Sequence, residues 1–332
     1  MKKAALFLAL CLLLTCASGC AGQRVFSENF FLMDTVIGIT LYTENPTLAK
    51  NAFAECRAIL SELDRLWARQ KPDSDAARWN ASADGNVQMD PRTRQLITTA
   101  LDVSRNTGGA FDITVAPLVE LWQACGERDS LPTGEELSAA LAQTGYEALS
   151  WNGDALTKTD AKIMMDLGGI GKGAAIDALL AYLTSLQLRG GLITFGSNVT
   201  VFGSKSDGQA FRIGLRDPQN ANASVGTLLL PDRQVLSVSG DYERFVTVQG
   251  EKYHHILDPQ SGYPADTGLS SVAVIAADGV LADALSTALF VMGKDRALEF
   301  YRADLYEFEA ILIDSNGTLT VTDGLSDIFI EN

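Results

Sequence analysis

The sequence predicts an α+β fold, a single large domain with up to two lobes, in which helices pack on mixed or antiparallel sheets. Three observations lead to this class. Predicted strands and helices alternate without the strict strand–helix–strand rhythm of a doubly wound sheet. No internal repeat or low-complexity tract divides the 332 residues. A mature length of about 310 residues is large for one simple core and small for two ordinary domains.

Helices are predicted from apolar residues at helical spacing and from their capping residues. The longest covers residues 46–69. Asp90 and Pro91 supply an N-cap and a first-turn proline for a helix over 90–106. A capping box, in which Thr133 and Glu136 cap each other, starts a helix over 133–143. Later helices are predicted at 174–188, 281–292 and 295–301.

Short segments rich in β-branched residues predict the strands. They cover residues 35–42, 163–165, 192–202, 211–215, 227–230, 234–239, 245–249, 271–275, 310–314 and 318–322. Residues 73–86 are polar and are predicted to form a loop that contains Trp79.

Residues 1–20 are predicted to be a lipoprotein signal peptide. Two lysines precede an apolar run over residues 4–15, which is too short for a permanent membrane span. Small residues directly before Cys20 resemble a bacterial lipobox, so we expect Cys20 to be lipidated after cleavage. A plain signal peptide is the alternative, and Cys16 is a competing site. A lipidated Cys20 would hold an exported protein at the outer face of the cell membrane, or on its periplasmic side, through a tether over 21–29.

The net charge of −15 argues against a nucleic-acid partner, because nucleic-acid phosphates require a basic surface. A phosphorylated ligand would therefore need a metal ion or a local cationic site. In an exported protein Cys56 and Cys125 could form a disulfide, but Cys56 lies on an apolar helix face and is equally compatible with a free thiol.

A glycine-rich turn over residues 166–177 lies between the predicted strand 163–165 and the helix 174–188. Glycine permits a tight turn and a close approach of a ligand to the main chain, and the first amides of a helix favour an anion. Asp166 and Lys172 add one charge of each sign. The glycine spacing matches neither the dinucleotide fingerprint nor the P-loop. The turn is thus either an anion site of another kind or simple packing of a helix on a strand.

Two further groups have the composition of a reactive site. His254 and His255 are the only histidines, and adjacent strand residues point to opposite faces, so we expect one of them to face a site. Asp283, Ser286 and Thr287 are spaced to share one helical face, and their oxygens suit magnesium. The alternative is structural: Asp283 caps its helix and the two hydroxyls bond to the preceding turn.

Six motifs follow one another in the chain: M-D-T at 33–35, G-G-A-F-D-I-T at 108–114, D-L-G-G-I-G-K-G-x-x-x-D at 166–177, S-G-D-Y-E-R at 239–244, H-H-I-x-D-P-x-x-G-x-P at 254–264 and A-D-A-L-S-T at 282–287. With these motifs, residues 30–332 resemble the bacterial flavin transferase family, the FAD:protein FMN transferases of the ApbE type. Six motifs in order are far more specific than one glycine turn.

The resemblance implies an activity and a set of site residues. Members cleave FAD at its pyrophosphate, release AMP and esterify the FMN phosphate onto a Thr or Ser hydroxyl of a target protein, with magnesium to neutralise the phosphates. Their acceptors carry an Asp-Gly-x-[Ser/Thr]-Gly-Ala-Thr-like segment. By motif match, Asp283 and Thr287 would bind magnesium with Gly169 and Ser286, and His255 would transfer the proton while Asp258 holds its loop; Asp283 and His255 are the catalytic pair. FAD would contact Met33, Gln70, Ala110, Phe111, Asp112, Asp166, Lys172, Ile256 and Leu257.

The chain departs from the family pattern in two places. Gln70 stands where many relatives carry an aromatic residue, and Lys172 replaces an acidic residue of some relatives. Two other functions remain open: an FAD pyrophosphatase that releases AMP and FMN, and a non-catalytic lipoprotein that binds flavin.

Overall fold

An antiparallel sheet of eight strands forms the centre of the fold, in the order β1-β2-β5-β6-β9-β12-β13-β14. The structure is a computed structural model that describes residues 24–205 and 207–332. Its strands are β1 Arg24–Leu32, β2 Thr35–Thr43, β3 Leu149–Asn152, β4 Ala155–Lys158, β5 Gly190–Phe195, β6 Asn198–Gly203, β7 Arg212–Asp217, β8 Asn220–Leu229, β9 Val235–Gly240, β10 Phe245–Val248, β11 Glu251–His254, β12 Leu269–Ala276, β13 Glu309–Asp314, β14 Leu319–Val321 and β15 Phe329–Glu331.

The helices are α1 Pro46–Trp67, α2 Asp75–Ala81, α3 Pro91–Asn106, α4 Ala116–Arg128, α5 Gly134–Leu141, α6 Gly171–Thr184, α7 Gly279–Met292 and α8 Lys294–Arg302. Most of them belong to the core on one face of this sheet, whereas α4 and α5 pack on the β10–β11 hairpin. The predicted N-cap of α3 and the capping box of α5 are both present. Both helices therefore begin at the capping residues that the sequence predicts.

The central sheet is buried on both faces. In β12, Val272 and Val274 join the main core with the helices, whereas Ala273 and Ile275 join a second core under the small sheet of β7, β8 and β15. Successive side chains of a strand point to opposite faces, so a strand between two cores is apolar throughout. The predicted α+β class with antiparallel sheets is confirmed.

Four predicted elements are wrong. The tether over 21–29 is, from residue 24 onward, the edge strand β1, which pairs with β2 along its whole length. Its polar composition is misleading because an edge strand needs few apolar residues. The single strand 192–202 is a hairpin, since Gly196 has a positive φ of 60° that permits a tight turn between β5 and β6. The loop 73–86 contains α2. In the predicted strand 163–165, Ile163 and Met165 are buried, but the segment belongs to no strand.

The sequence left open whether Cys56 and Cys125 form a disulfide, and the structure shows both as buried free thiols. The predicted signal peptide and Cys20 lie outside the described residues. Among residues 24–205 and 207–332, no helix has the length and apolar character needed to cross a bilayer.

Candidate active site

A cavity of about 550 Å³ opens between the β1–β2 turn, the end of α1, the glycine turn before α6 and the β10–β11 hairpin. This volume lies within the range of small-molecule sites. Of the residues implied by the family motifs, all but Asp258, Asp283 and Ser286 line the cavity: Met33, Gln70, Ala110, Phe111, Asp112, Asp166, Gly169, Lys172, His255, Ile256, Leu257 and Thr287. Asp283 and Ser286 do not line it and are buried.

The glycine turn is held by ion pairs on its outer side. Asp166 Oδ1 accepts from the Gly168 amide at 2.7 Å, and Asp166 Oδ2 accepts from Arg69 Nε at 2.8 Å. Arg69 also donates to Glu120 on α4 at 2.7 Å. Helix α6 follows without a side-chain cap from its N-cap residue. Two of its first amides are already used, because Gly171 donates to the Leu167 carbonyl at 2.8 Å and Gly173 donates to Asp283. The cationic group that the turn offers to an anion in the cavity is therefore Lys172.

The segment that leads into this turn is fixed by side chains instead of a strand ladder. Asn80 of α2 pairs with both main-chain groups of Met165, at 2.8 and 3.0 Å. The buried Lys158 ammonium donates to three carbonyls, those of Asn80, Ala161 and Ile163. These bonds replace the partners that a neighbouring strand would have supplied.

Asp283 is the buried acidic centre of the site, with a side chain 3% exposed. Its Oδ1 accepts from Lys172 Nζ at 2.9 Å, Asn198 Nδ2 at 3.0 Å and Ser237 Oγ at 3.3 Å. Its Oδ2 accepts from the Gly173 amide at 3.0 Å. A charge buried this deeply is stable only when it is paired and hydrogen-bonded, and Asp283 is both.

Two glycines bring Asp283 to this place. A Cβ added to Gly173 of α6 would overlap the carbonyl of Gly279 at the start of α7. At that same contact, the amides of Gly279 and Val280 donate to Asp177 at 2.9 and 3.1 Å. Burial raises the pKa of Asp177 to about 7. The two helices therefore touch through their main chains, which aligns Asp283 with the turn.

Hydroxyl groups continue from Asp283 toward the cavity. Ser239 Oγ lies 2.9 Å from Ser286 Oγ and 3.4 Å from Thr287 Oγ1. Ser286 also donates to the Asp283 carbonyl at 2.9 Å, as in the structural alternative for this residue. Thr287 alone of the two helical hydroxyls reaches the cavity.

His255 follows β11 on the opposite wall, with its side chain open to the cavity. Its Nδ1 lies 3.1 Å from the Arg244 carbonyl. Because a carbonyl can only accept, Nδ1 carries the proton and Nε2 keeps a free lone pair. The protein around the ring displaces water and lowers the pKa of His255 to about 4. At neutral pH this side chain is a neutral proton acceptor.

His254 differs from its neighbour. Its Nε2 lies 3.2 Å from the Ala265 carbonyl, and its ring packs edge-on against Phe290 at 5.5 Å. Burial lowers the pKa of His254 as well. Although it also borders the cavity, its contacts are those of a packed residue. The expectation that one histidine serves the site therefore selects His255.

Asp112 mainly fixes its own loop. Its Oδ1 accepts from the amide and hydroxyl of Thr114, both at 2.7 Å, and its Oδ2 accepts from the Tyr146 amide at 2.8 Å. Burial raises the pKa of Asp112 against these bonds. The loop holds Phe111 against the glycine turn, where a Cβ on Gly169 would come within 3.2 Å of the Phe111 ring.

The structure adds cavity residues that the sequence did not single out. Glu243 and Arg244 line the cavity, and Arg244 donates to the Asp34 carbonyl at 2.9 Å. Met33 and Asp34 form the two-residue β1–β2 turn with positive φ values of 51° and 55°, which non-glycine residues rarely adopt. Arg244 thus braces a strained turn that presents Met33. Both added residues belong to the S-G-D-Y-E-R motif, which was the available signal.

The oxygen chemistry of this site fits magnesium. Asp283 supplies a carboxylate and Thr287 a hydroxyl, both suited to a hard cation. In the part of the chain that the structure describes, no group of three or more His, Cys, Asp or Glu side chains forms a richer site. The Asp283 carboxylate that would hold this ion already pairs with Lys172.

A lysine ammonium, a buried carboxylate with hydroxyls and a neutral histidine at one cavity suit an enzyme that transfers a phosphorylated group. The comparison with known proteins specifies the class. The chain belongs to the ApbE family, whose model matches residues 33–312. The family predicted from the six motifs is confirmed.

Relatives and solved structures agree with this assignment. The FAD:protein FMN transferase of Vibrio cholerae serotype O1 is 31% identical over 292 residues, which cover 86% of this chain and 87% of the relative. That of Klebsiella pneumoniae is 31% identical over 303 residues, 89% and 90% of the two chains. The ApbE protein from Thermotoga maritima superposes with a TM-score of 0.83 at 30% identity, covering 92% of this chain and 99% of that one. The flavin transferase ApbE from Vibrio cholerae gives 0.81 at 26% identity, with the same coverage.

Proposed function

We propose that this protein transfers FMN from FAD to a Thr or Ser hydroxyl of a target protein and releases AMP. The observation that carries the proposal is His255, a neutral base with its free Nε2 on the cavity that the predicted FAD residues line. Family membership supplies the reaction class, and the site supplies groups for each part of it.

In the transfer step, one bond to phosphorus forms and another breaks. His255 Nε2 takes the proton of the acceptor hydroxyl as its oxygen bonds to the phosphorus of the FMN half. The bridging bond of the pyrophosphate breaks, and AMP leaves with the bridging oxygen. The Lys172 ammonium stabilises the negative charge on the phosphates. Catalysis is therefore mainly placement and charge stabilisation.

Magnesium is part of this proposal. Asp283 and Thr287 would hold the ion, with the Gly169 carbonyl and Ser286 as further predicted ligands. When bound, it neutralises the pyrophosphate and helps to position it. The support is the buried carboxylate next to a chain of hydroxyls, a donor set of hard oxygens.

The partner and the location also belong to the proposal. The acceptor is a protein with an Asp-Gly-x-[Ser/Thr]-Gly-Ala-Thr-like segment, as the family resemblance implies. Lipidation at Cys20 would keep the enzyme at the outer membrane face or on the periplasmic side. The support for this anchor is the basic, apolar and small-residue pattern of residues 1–20.

The test uses the full-length protein, FAD, magnesium and a small domain that bears the acceptor segment. Intact-mass spectrometry of the acceptor should show the addition of one FMN with release of AMP, and the addition should disappear when the acceptor Thr is changed to Val. AMP and free FMN without labelling would instead indicate a pyrophosphatase. Intact FAD that stays bound would indicate a flavin-binding protein.

A further inference from the structure

The Lys172 side chain lies between the cavity and Asp283. Lys172 lines the cavity and is 27% exposed, whereas Asp283 does not line it and is 3% exposed. The ammonium is 2.9 Å from Asp283 Oδ1 and 3.5 Å from the Gly168 carbonyl. A carboxylate and a carbonyl of the glycine turn are also the kinds of oxygen that a magnesium ion would take. A cation that approaches Asp283 from the cavity therefore meets this ammonium first.

The bonding capacity of Asp283 makes the two cations alternatives. Oδ1 already accepts from Lys172, Asn198 and Ser237, and Oδ2 accepts from Gly173. A carboxylate offers about four lone-pair positions. A metal ion at Oδ1 must therefore replace a donor there, and like charge makes the ammonium the group that it repels.

A displaced Lys172 stays near other negative charge. Glu243 lines the same cavity. Burial raises the pKa of the Glu243 carboxyl, and the Lys172 ammonium is the foremost charge that acts against this rise. The lysine can thus leave Asp283 without losing all electrostatic compensation.

We propose that Lys172 is an internal counter-ion that competes with magnesium for Asp283. The inference rests on the magnesium requirement proposed above. While the metal is absent, Lys172 neutralises a buried charge that would otherwise be costly. When the metal binds, the ammonium is released toward the cavity. The binding of magnesium alone is therefore weakened by the lysine of the same site.

The test is calorimetric titration of Mg²⁺ alone into the metal-free, full-length protein and its Lys172→Met and Lys172→Arg variants. Lys172→Met should bind Mg²⁺ at least about 10-fold tighter than the wild type, a typical coupling between linked sites. Lys172→Arg keeps the charge and should bind as weakly as the wild type. Equal or weaker binding by Lys172→Met would overturn the competition.

Thermal unfolding provides a second measurement if Lys172→Met is unstable. Without metal its Tm should lie below that of the wild type, and Mg²⁺ should raise it by more than it raises the wild-type Tm; an equal or smaller rise would contradict the proposal. The Asp283→Asn variant distinguishes a failure of the metal assignment from a failure of the competition. If it binds Mg²⁺ like the wild type, the metal assignment and the competition both fail. If it loses Mg²⁺ while Lys172→Met gains nothing, the competition alone fails.

Discussion

The two walls of the cavity differ in how their polar atoms are satisfied. Behind one wall, the Asp283 carboxylate is buried and receives four donors from α6, β6 and β9. On the opposite wall, His255 is open to the cavity and uses only Nδ1, for its bond to Arg244. The first wall is complete before any substrate arrives, whereas the second leaves one atom free.

This difference indicates a division of labour. A charge-stabilising group works best when it is held rigidly and away from water, because no reorganisation is then needed during the reaction. A base must reach a hydroxyl that arrives from another protein, so it has to remain accessible. This division can be tested at Asp283, at the contact between α6 and α7 that positions it, and at His255.

The largest effect is expected at the carboxylate itself. Asp283→Asn removes the charge while keeping the shape, and it leaves either Lys172 or the Gly173 amide facing an NH₂ group. FMN transfer should fall by about 1,000-fold, as for loss of a central charge-stabilising group. Asp278→Asn is the matched control at the start of α7. Asp278 is exposed and is the N-cap of this helix, where its side chain accepts from the Leu281 amide, and Asn is an equally good N-cap. Comparable losses in both variants would contradict the special role of Asp283.

The contact between α6 and α7 should also be sensitive. Gly173→Ala would force a methyl group onto the Gly279 carbonyl, a main-chain atom that cannot rotate away. We expect the free energy of unfolding to fall by at least about 2 kcal/mol, in the range of overpacked cores. Gly134→Ala meets no atom within 4 Å and should change stability by less than about 0.5 kcal/mol. Chemical denaturation of both variants measures the difference, and equal stabilities would refute the close contact.

A smaller effect on stability, which depends on pH, is expected from Asp177, whose carboxylate accepts from the first amides of α7. Its folded pKa of about 7 exceeds the ordinary aspartate value of 3.8, so between these two pH values the folded state holds a proton that the unfolded state has lost. The stability that this proton contributes is complete below about pH 4 and disappears as the pH rises toward 7. The change is at most about 4 kcal/mol. Asp177→Asn should flatten this part of the stability curve; an unchanged slope between pH 4 and 7 would be evidence against the raised pKa.

The smallest effect is expected at His255, where the pH profile of FMN transfer should stay level. With a pKa of about 4, His255 remains neutral through mildly acidic pH. The value of kcat/KM for FMN transfer, which reports the free enzyme, should therefore show no loss from this group between about pH 8 and 5. A histidine with an ordinary pKa would be half protonated near pH 6.5. A decline centred there in the wild type would show that burial does not depress the pKa of His255.

The sequence predicted what local patterns encode. The N-cap of α3 and the capping box of α5 involve residues at most three positions apart. The six motifs likewise supplied more than half of the residues that line the cavity, because most motifs place several residues in one turn or strand end. The motif match already named His255, but the identity of its free nitrogen required the structure, since only the fold shows that the Arg244 carbonyl takes Nδ1.

The sequence failed where partners are distant along the chain. The first half of β1 is mostly polar, and its pairing with β2 is not visible in its composition. Lys158 gave no signal as a buried residue, because its three carbonyl partners come from helix α2 and from the loop before the glycine turn. The ion pair of Lys172 with Asp283 spans 111 positions and depends on the main-chain contact of two helices.

The most direct test of the division between the walls is His255→Asn, with FAD affinity and single-turnover FMN transfer measured on the same preparation. The account predicts that the Kd for FAD stays within about 3-fold while transfer falls by about 100-fold, the usual range for loss of a general base. Transfer at the wild-type rate, or a loss of FAD binding that matches the loss of transfer, would contradict it.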